Sequence, residues 1–217
     1  MAYAVKMCGL DRPAVVDAAV GHGAAYVGFV FYPASPRHLK HDAARALAAR
    51  VPPTVKTVAV LVEPGDAEVE ALLAQVRIDF LQLHGAESPA RVTALKARFG
   101  RPVIKALAIA ERQDLAQVSA YAPVADMLLL DGKAQKSEAR PGGLGRAFDW
   151  TLLAGLGLDK PWFLSGGLTP ETIVAAAHET RASAFDVSSG IEAAPGVKDI
   201  AKIAAFMAAL QQVENSP

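Results

Sequence analysis

Eight short runs of β-branched and apolar residues recur through the chain at fairly even spacing, and each is followed by an Ala-rich stretch of helical periodicity. The runs are "YAVKMC", "AYVGFVF", "KTVAVLV", "DFLQLHG", "PVIKALA", "DMLLLD", "PWFLSGG" and "AFDVSSG". A strand that alternates with helices must pair in parallel, because each crossover returns the chain to the same edge direction. Eight such units with short turns predict a closed (β/α)8 barrel. An open doubly wound sheet is the alternative, but it does not require eight evenly spaced units. At 217 residues the chain fits one barrel domain spanning residues 1–217, a fold that runs to about 200–250 residues as a single unit.

The helical stretches carry start and stop signals. "DRPAVVDAAVGHG" opens on Asp and Pro and ends in Gly, and "SPARVTALKARFG" offers Ser88 as N-cap and Gly100 as terminator. "TPETIVAAAHE" places Thr169 as N-cap with Pro170 at the first helical position. One long irregular stretch, "GKAQKSEARPGGLGRAFDW", follows the sixth strand. Its first part, from Gly132 to Arg140, has charged residues and almost no apolar anchor, so it is expected to act as a mobile lid.

Twenty-two basic residues balance twenty-two acidic ones, which removes any general electrostatic reason to bind nucleic acid or an anionic membrane. No apolar run approaches the ~20 residues needed to cross a bilayer. The first residues lack the basic and apolar regions of a secretory signal, and the lone Cys8 has no partner for an intramolecular disulfide. These features fit a cytoplasmic protein. No CxxC, HExxH or clustered His/Cys spacing suggests a metal site, and no cofactor is expected.

Barrels of this type carry their active sites at the C-terminal ends of the strands, so strand ends become candidate positions. Cys8 ends the first, His84 the fourth and Asp131 the sixth, while Arg37 follows the second. The seventh strand ends in Gly166 and Gly167, and the eighth in Ser188, Ser189 and Gly190. Gly-rich turns let backbone N–H groups approach a phosphate, and Gly143 and Gly145 in "GGLG" offer a third such turn on the same rim. A lone buried Cys is ordinarily a small hydrophobe, an Asp before Gly is ordinarily a turn residue, and a loop Arg is ordinarily solvated. Alternation further places Lys6 on the Cys8 face, Gln82 on the His84 face and Asp186 on the Ser188 face. Strands one and eight are neighbours in a closed barrel, so a buried Lys6 is expected to pair with Asp186.

Seven strings, "VKMCGL", "GFVFYPASPR", "LQLHG", "LLLD", "GGLGRAFDW", "LSGGL" and "DVSSGIE", stand in an order and at strand positions that resemble the phosphoribosylanthranilate isomerases of tryptophan biosynthesis. The resemblance spans essentially the whole chain and implies an Amadori rearrangement of a phosphorylated small molecule without metal or organic cofactor. It implies Cys8 as general base and Asp131 as general acid, facing each other across the barrel mouth. Arg37 would clamp the anthranilate carboxylate, and His84 would line the substrate. Gly143, Gly145, Gly166, Gly167, Asp186, Ser188, Ser189 and Gly190 complete the expected substrate-binding set, around a monomer or homodimer. Leu144 stands where the family usually has Ser or Thr, and Arg146 where it often has Lys, which puts the hydroxyl contact from that loop in doubt. Another phosphate-binding barrel isomerase, or a barrel that binds phosphate without catalysis, is the alternative. The related barrel isomerase of histidine biosynthesis has an aspartate at the base position, where this chain has Cys8.

Overall fold

A computed structural model describes residues 3–132 and 149–214. Eight parallel strands close into a barrel in sequence order: β1 Ala4–Cys8, β2 Tyr26–Val30, β3 Lys56–Leu61, β4 Phe80–Leu83, β5 Val103–Ile109, β6 Met127–Gly132, β7 Trp162–Ser165 and β8 Ala184–Val187. Every expected strand is present. The register of β1 with β8 sets Lys6 opposite Asp186, and that of β6 with β7 sets Asp131 opposite Ser165.

The helices are α1 Pro13–Gly21, α2 His41–Ala48, α3 Asp66–Gln75, α4 Pro89–Phe99, α5 Ala116–Tyr121, α6 Ile173–Thr180 and α7 Ile200–Glu214. Ser88 caps α4 by accepting from the Arg91 N–H, and Gly100 ends it in the left-handed conformation, as their residue types require. Three features depart from eight regular units. After β6 the described residues contain only a 3₁₀ turn, Trp150–Leu153, where an α-helix was expected. α6 starts four residues beyond Thr169, because the Thr172 hydroxyl accepts from the Thr169 N–H and holds residues 169–172 in a turn. The chain after β8 adds a small antiparallel hairpin, β9 Glu192–Ala194 with β10 Val197–Lys198. The expected lid lies outside the described residues apart from Gly132, as do Gly143, Leu144, Gly145 and Arg146.

Alternation along the strands sorts the side chains. Met7, Val27, Leu81, Leu83, Leu128 and Leu130 point outward into the main core beneath the helices. Inside the barrel, Val58, Ile104, Leu129 and Phe163 form an apolar lower layer. Tyr26 closes it with edge contacts to Phe80 and Phe163, ring centroids 5.7 and 5.2 Å apart. One step toward the C-terminal ends, the inward positions turn polar with Lys6, Gln82, Ser165 and Asp186, all buried. The side chains of Cys8, His84 and Asp131 stand above them, two residues further along the same strands or at their ends.

Candidate active site

A cavity of about 330 Å³ opens at the C-terminal mouth of the barrel. It brings together Cys8, Arg37, His84, Asp131, Gly166, Gly167, Asp186, Ser188 and Ser189 in its walls. Gly190, also expected at this rim, packs just behind it. A Cβ there would sit 1.8 Å from the Leu168 carbonyl oxygen, so the turns after β7 and β8 meet at a contact only glycine permits. Gly166 has φ +92°, and a Cβ on it would lie 2.2 Å from the Gly132 carbonyl oxygen, which fixes the β7 turn against the end of β6. The Ser188 hydroxyl donates to the Cys8 carbonyl at 3.1 Å and so ties the β8 turn to the end of β1.

The expected ion pair lies on the cavity floor. Lys6 Nζ donates to Asp186 Oδ1 at 2.7 Å, and the Ser165 hydroxyl donates to Asp186 Oδ2 at 3.3 Å. Cys8 is buried and carries a free thiol. Burial pushes that thiol up, Lys6 and Lys198 pull it down, and Asp186 pushes it up again, with a net rise. A rise leaves the thiol mostly protonated at neutral pH but makes its thiolate a stronger base once formed.

Across the cavity, His84 Nε2 faces Asp131 Oδ2 at 3.4 Å, and Gln82 Nε2 lies 3.0 Å from His84 Nδ1. With the Gln82 amide in that orientation its N–H donates to Nδ1, which leaves the ring proton on Nε2, the nitrogen nearer Asp131. The loop carrying His84 is held from below. Glu87, buried after β4, accepts from the backbone N–H groups of Glu63 and Gly85 and from Lys105 Nζ at 2.8 Å. Burial raises the Glu87 carboxyl, but Lys105 and the Glu63 N–H outweigh it and hold the group below its ordinary range.

Arg37 reaches the cavity, but not as the free fork expected from sequence. Its Nε and Nη2 donate to Glu192 Oε1 and Oε2, both at 2.6 Å, so the side edge of the guanidinium is already occupied. Glu192 also accepts from Lys198 Nζ at 2.6 Å and from the Gly196 N–H. Burial would raise its carboxyl, yet these donors bring it down to about 2. The Arg37–Glu192–Lys198 cluster escaped the sequence reading because its members lie up to 161 positions apart, with Arg37 in "GFVFYPASPR", Glu192 in "DVSSGIE" and Lys198 in no quoted motif. Among the described residues, no helix is long and apolar enough to cross a membrane.

A closed parallel barrel whose C-terminal mouth gathers a thiol, a carboxyl and the glycine turn after β7 around one cavity defines a (β/α)8 barrel with its small-molecule site at the strand ends. A family model described as N-(5'phosphoribosyl)anthranilate (PRA) isomerase matches residues 5–209. The chain is 55% identical over 208 residues to N-(5'-phosphoribosyl)anthranilate isomerase of Paracoccus denitrificans, covering 96% of this chain and 97% of the relative. The crystal structure of phosphoribosyl anthranilate isomerase from Thermotoga maritima superposes with a TM-score of 0.85 at 33% identity and 100% coverage of both chains. Another solved structure, a phosphoribosyl anthranilate isomerase complexed with reduced 1-(o-carboxyphenylamino)-1-deoxyribulose 5-phosphate, superposes at 0.83 with 32% identity, again over 100% of both chains. The chain belongs to the N-(5'-phosphoribosyl)anthranilate isomerase family.

Proposed function

We propose that the protein converts N-(5-phosphoribosyl)anthranilate into 1-(2-carboxyphenylamino)-1-deoxyribulose 5-phosphate in tryptophan biosynthesis, working in the cytoplasm as a monomer or homodimer. The observation that carries this reading is the presence of Cys8 and Asp131 on one cavity of a chain whose whole barrel matches this family. Asp131 gives its proton to the furanose ring oxygen, the C1–O bond breaks, and the nitrogen lone pair forms an iminium. Cys8, as thiolate, removes the C2 proton, and those electrons neutralise the iminium to give an enolamine. The enol then tautomerises to the ketone product. No redox partner is needed, since C1 is reduced as C2 is oxidised.

Acid and base must address different atoms of one sugar, which their placement on β1 and β6 allows. Positioning falls to the rest of the mouth. The end edge of Arg37, left over from its bond to Glu192, would receive the ring carboxylate. The turns carrying Gly166, Gly167, Ser188, Ser189 and Gly190, with Gly143 and Gly145 beyond the described residues, would receive the phosphate, and Asp186 acts from below. His84 keeps its Nε2 toward Asp131 and lines the substrate.

Turnover is read by the change in anthranilate fluorescence as substrate is consumed. Cys8→Ser and Asp131→Asn should each lower kcat by at least about a hundredfold, the scale of a positioned acid or base. Near wild-type turnover in either variant would remove that residue from its role. Binding of the phosphorylated product with no turnover by the native chain would favour the non-catalytic alternative.

A further inference from the structure

We propose that Lys6 is the positioning residue that sets the proton affinity of Cys8, through a gap left by the missing side chain of Gly28 and against the restraint of Asp186. The inference rests on Cys8 as the base and specifies what tunes it.

The gap is defined by three atoms. A Cβ on Gly28 would sit 3.1 Å from Cys8 Sγ, 3.1 Å from Lys6 Nζ and 3.2 Å from Cys8 Cα. Cys8 and Gly28 are register partners on β1 and β2, and Lys6 is two residues back on the same inward face as Cys8. The sulfur and the ammonium therefore border one small space that any other residue on β2 would fill. Lys6 is fully buried, and one of its three N–H groups is committed to Asp186 Oδ1 at 2.7 Å. The others remain available on the side of the sulfur.

The surrounding charges make this arrangement selective. Asp186 on β8 faces both Lys6 and Cys8. Lys198 on β10 and Arg37 after β2 are the other cations near the sulfur, and both are bound to Glu192. His84, after β4, and Asp131, on β6, line the same cavity. A thiol beside an unopposed ammonium would ionise readily, and its thiolate would be plentiful but weakly basic. A thiol in an apolar wall would give a strong base that hardly ever forms. Asp186 neutralises the ammonium in part and places Cys8 between these limits, on the side of the stronger base. Burial raises the thiol while Lys6 lowers it, consistent with this balance.

The chain has one cysteine, so the pH dependence of its alkylation by iodoacetamide reports the ionisation of Cys8. Asp186→Asn should shift the thiol titration down by about one pH unit, since it removes a facing negative charge. Gly28→Ala keeps every charge and drives a methyl between sulfur and ammonium, so it should shift the titration up by a similar amount. Lys6→Met with Asp186→Asn removes the pair together and should also shift it up, because the ammonium that borders the sulfur across the Gly28 gap is lost along with its counter-charge. Circular dichroism confirms that each variant tested is folded, and Gly28→Ala decides the matter if the Asp186 variants do not fold. Shifts of the same sign in Asp186→Asn and Gly28→Ala, or no shift in folded Gly28→Ala, would overturn the proposal. If the shifts appear as expected but Cys8→Ser retains turnover, the tuning stands and the role of Cys8 as base falls.

Discussion

Arg37 has two edges on its guanidinium, and the bond to Glu192 uses only the one formed by Nε and Nη2. Such a pair holds the plane of the group fixed, so the free edge is presented without the rotamer entropy a solvated arginine would lose on binding. If that edge holds the ring carboxylate equally in ground and transition states, Arg37→Ala should raise KM and move kcat much less. A hydrogen bond between charged groups contributes on the order of 1.5–3 kcal/mol, so kcat/KM should fall about ten- to a hundredfold. Arg37→Lys should recover only part, because an ammonium lacks the two-pronged geometry. The decisive control is a substrate analogue without the ring carboxylate, which wild type and Arg37→Ala should handle about equally. Equal impairment of the variant with and without that carboxylate would mean that Arg37 serves the loop or the phosphate instead.

At the scale of elements, the sequence made legible whatever follows from strand alternation and closure, and little that depends on loops meeting in space. Cys8, His84 and Asp131 were found because a strand end is visible as the end of an apolar run. The Lys6–Asp186 pair was found because a closed barrel makes β1 and β8 neighbours although the two residues are 180 apart. The β9–β10 hairpin was missed, since "EAAPGVK" is too short to show a period, and with it the partner of Arg37. The late start of α6 was missed because Thr169 and Thr172 are both capping residues and only their mutual bond selects between them. The hairpin is more than a connection. Through Glu192 it joins β10 to the loop after β2, with Lys198 also donating to the Ser188 carbonyl. Because the folded-state carboxyl of Glu192 lies at about 2, below its unfolded value, its contribution to stability is complete above the ordinary carboxylate range. It is lost as pH falls from there toward 2. Urea unfolding of Glu192→Gln should show reduced stability at neutral pH and a flatter decline than wild type between pH 5 and 2, on the order of the acid titration range of one carboxylate. Parallel curves would exclude Glu192 as a contributor to acid sensitivity.

For the molecule as a whole, the barrel interior divides stability from chemistry by height. The lower layer of Val58, Ile104, Leu129 and Phe163 is apolar and in mutual contact, whereas the layers above it hold the buried ion pair and the side chains that line the cavity. Close packing makes the lower layer sensitive to lost volume, while the upper layer accepts open space because substrate must enter it. Phe163 spans this boundary by sequence, lying two residues before Ser165 on the same inward face of β7. Phe163→Ala should destabilise the fold by about 3–5 kcal/mol, the usual range for an aromatic truncated in a core. For a chain of this length that corresponds to a fall in Tm of roughly 6–20 °C, read by calorimetry. Well below the new Tm the ion pair still anchors the floor through Lys6 and Asp186, so the Cys8 titration should stay where it is in wild type. The value of kcat should likewise change by less than about threefold, far short of the effect of losing an acid or base. A large loss of kcat with an unchanged Tm would reverse the assignment, making Phe163 part of the site and the lower layer no foundation for it.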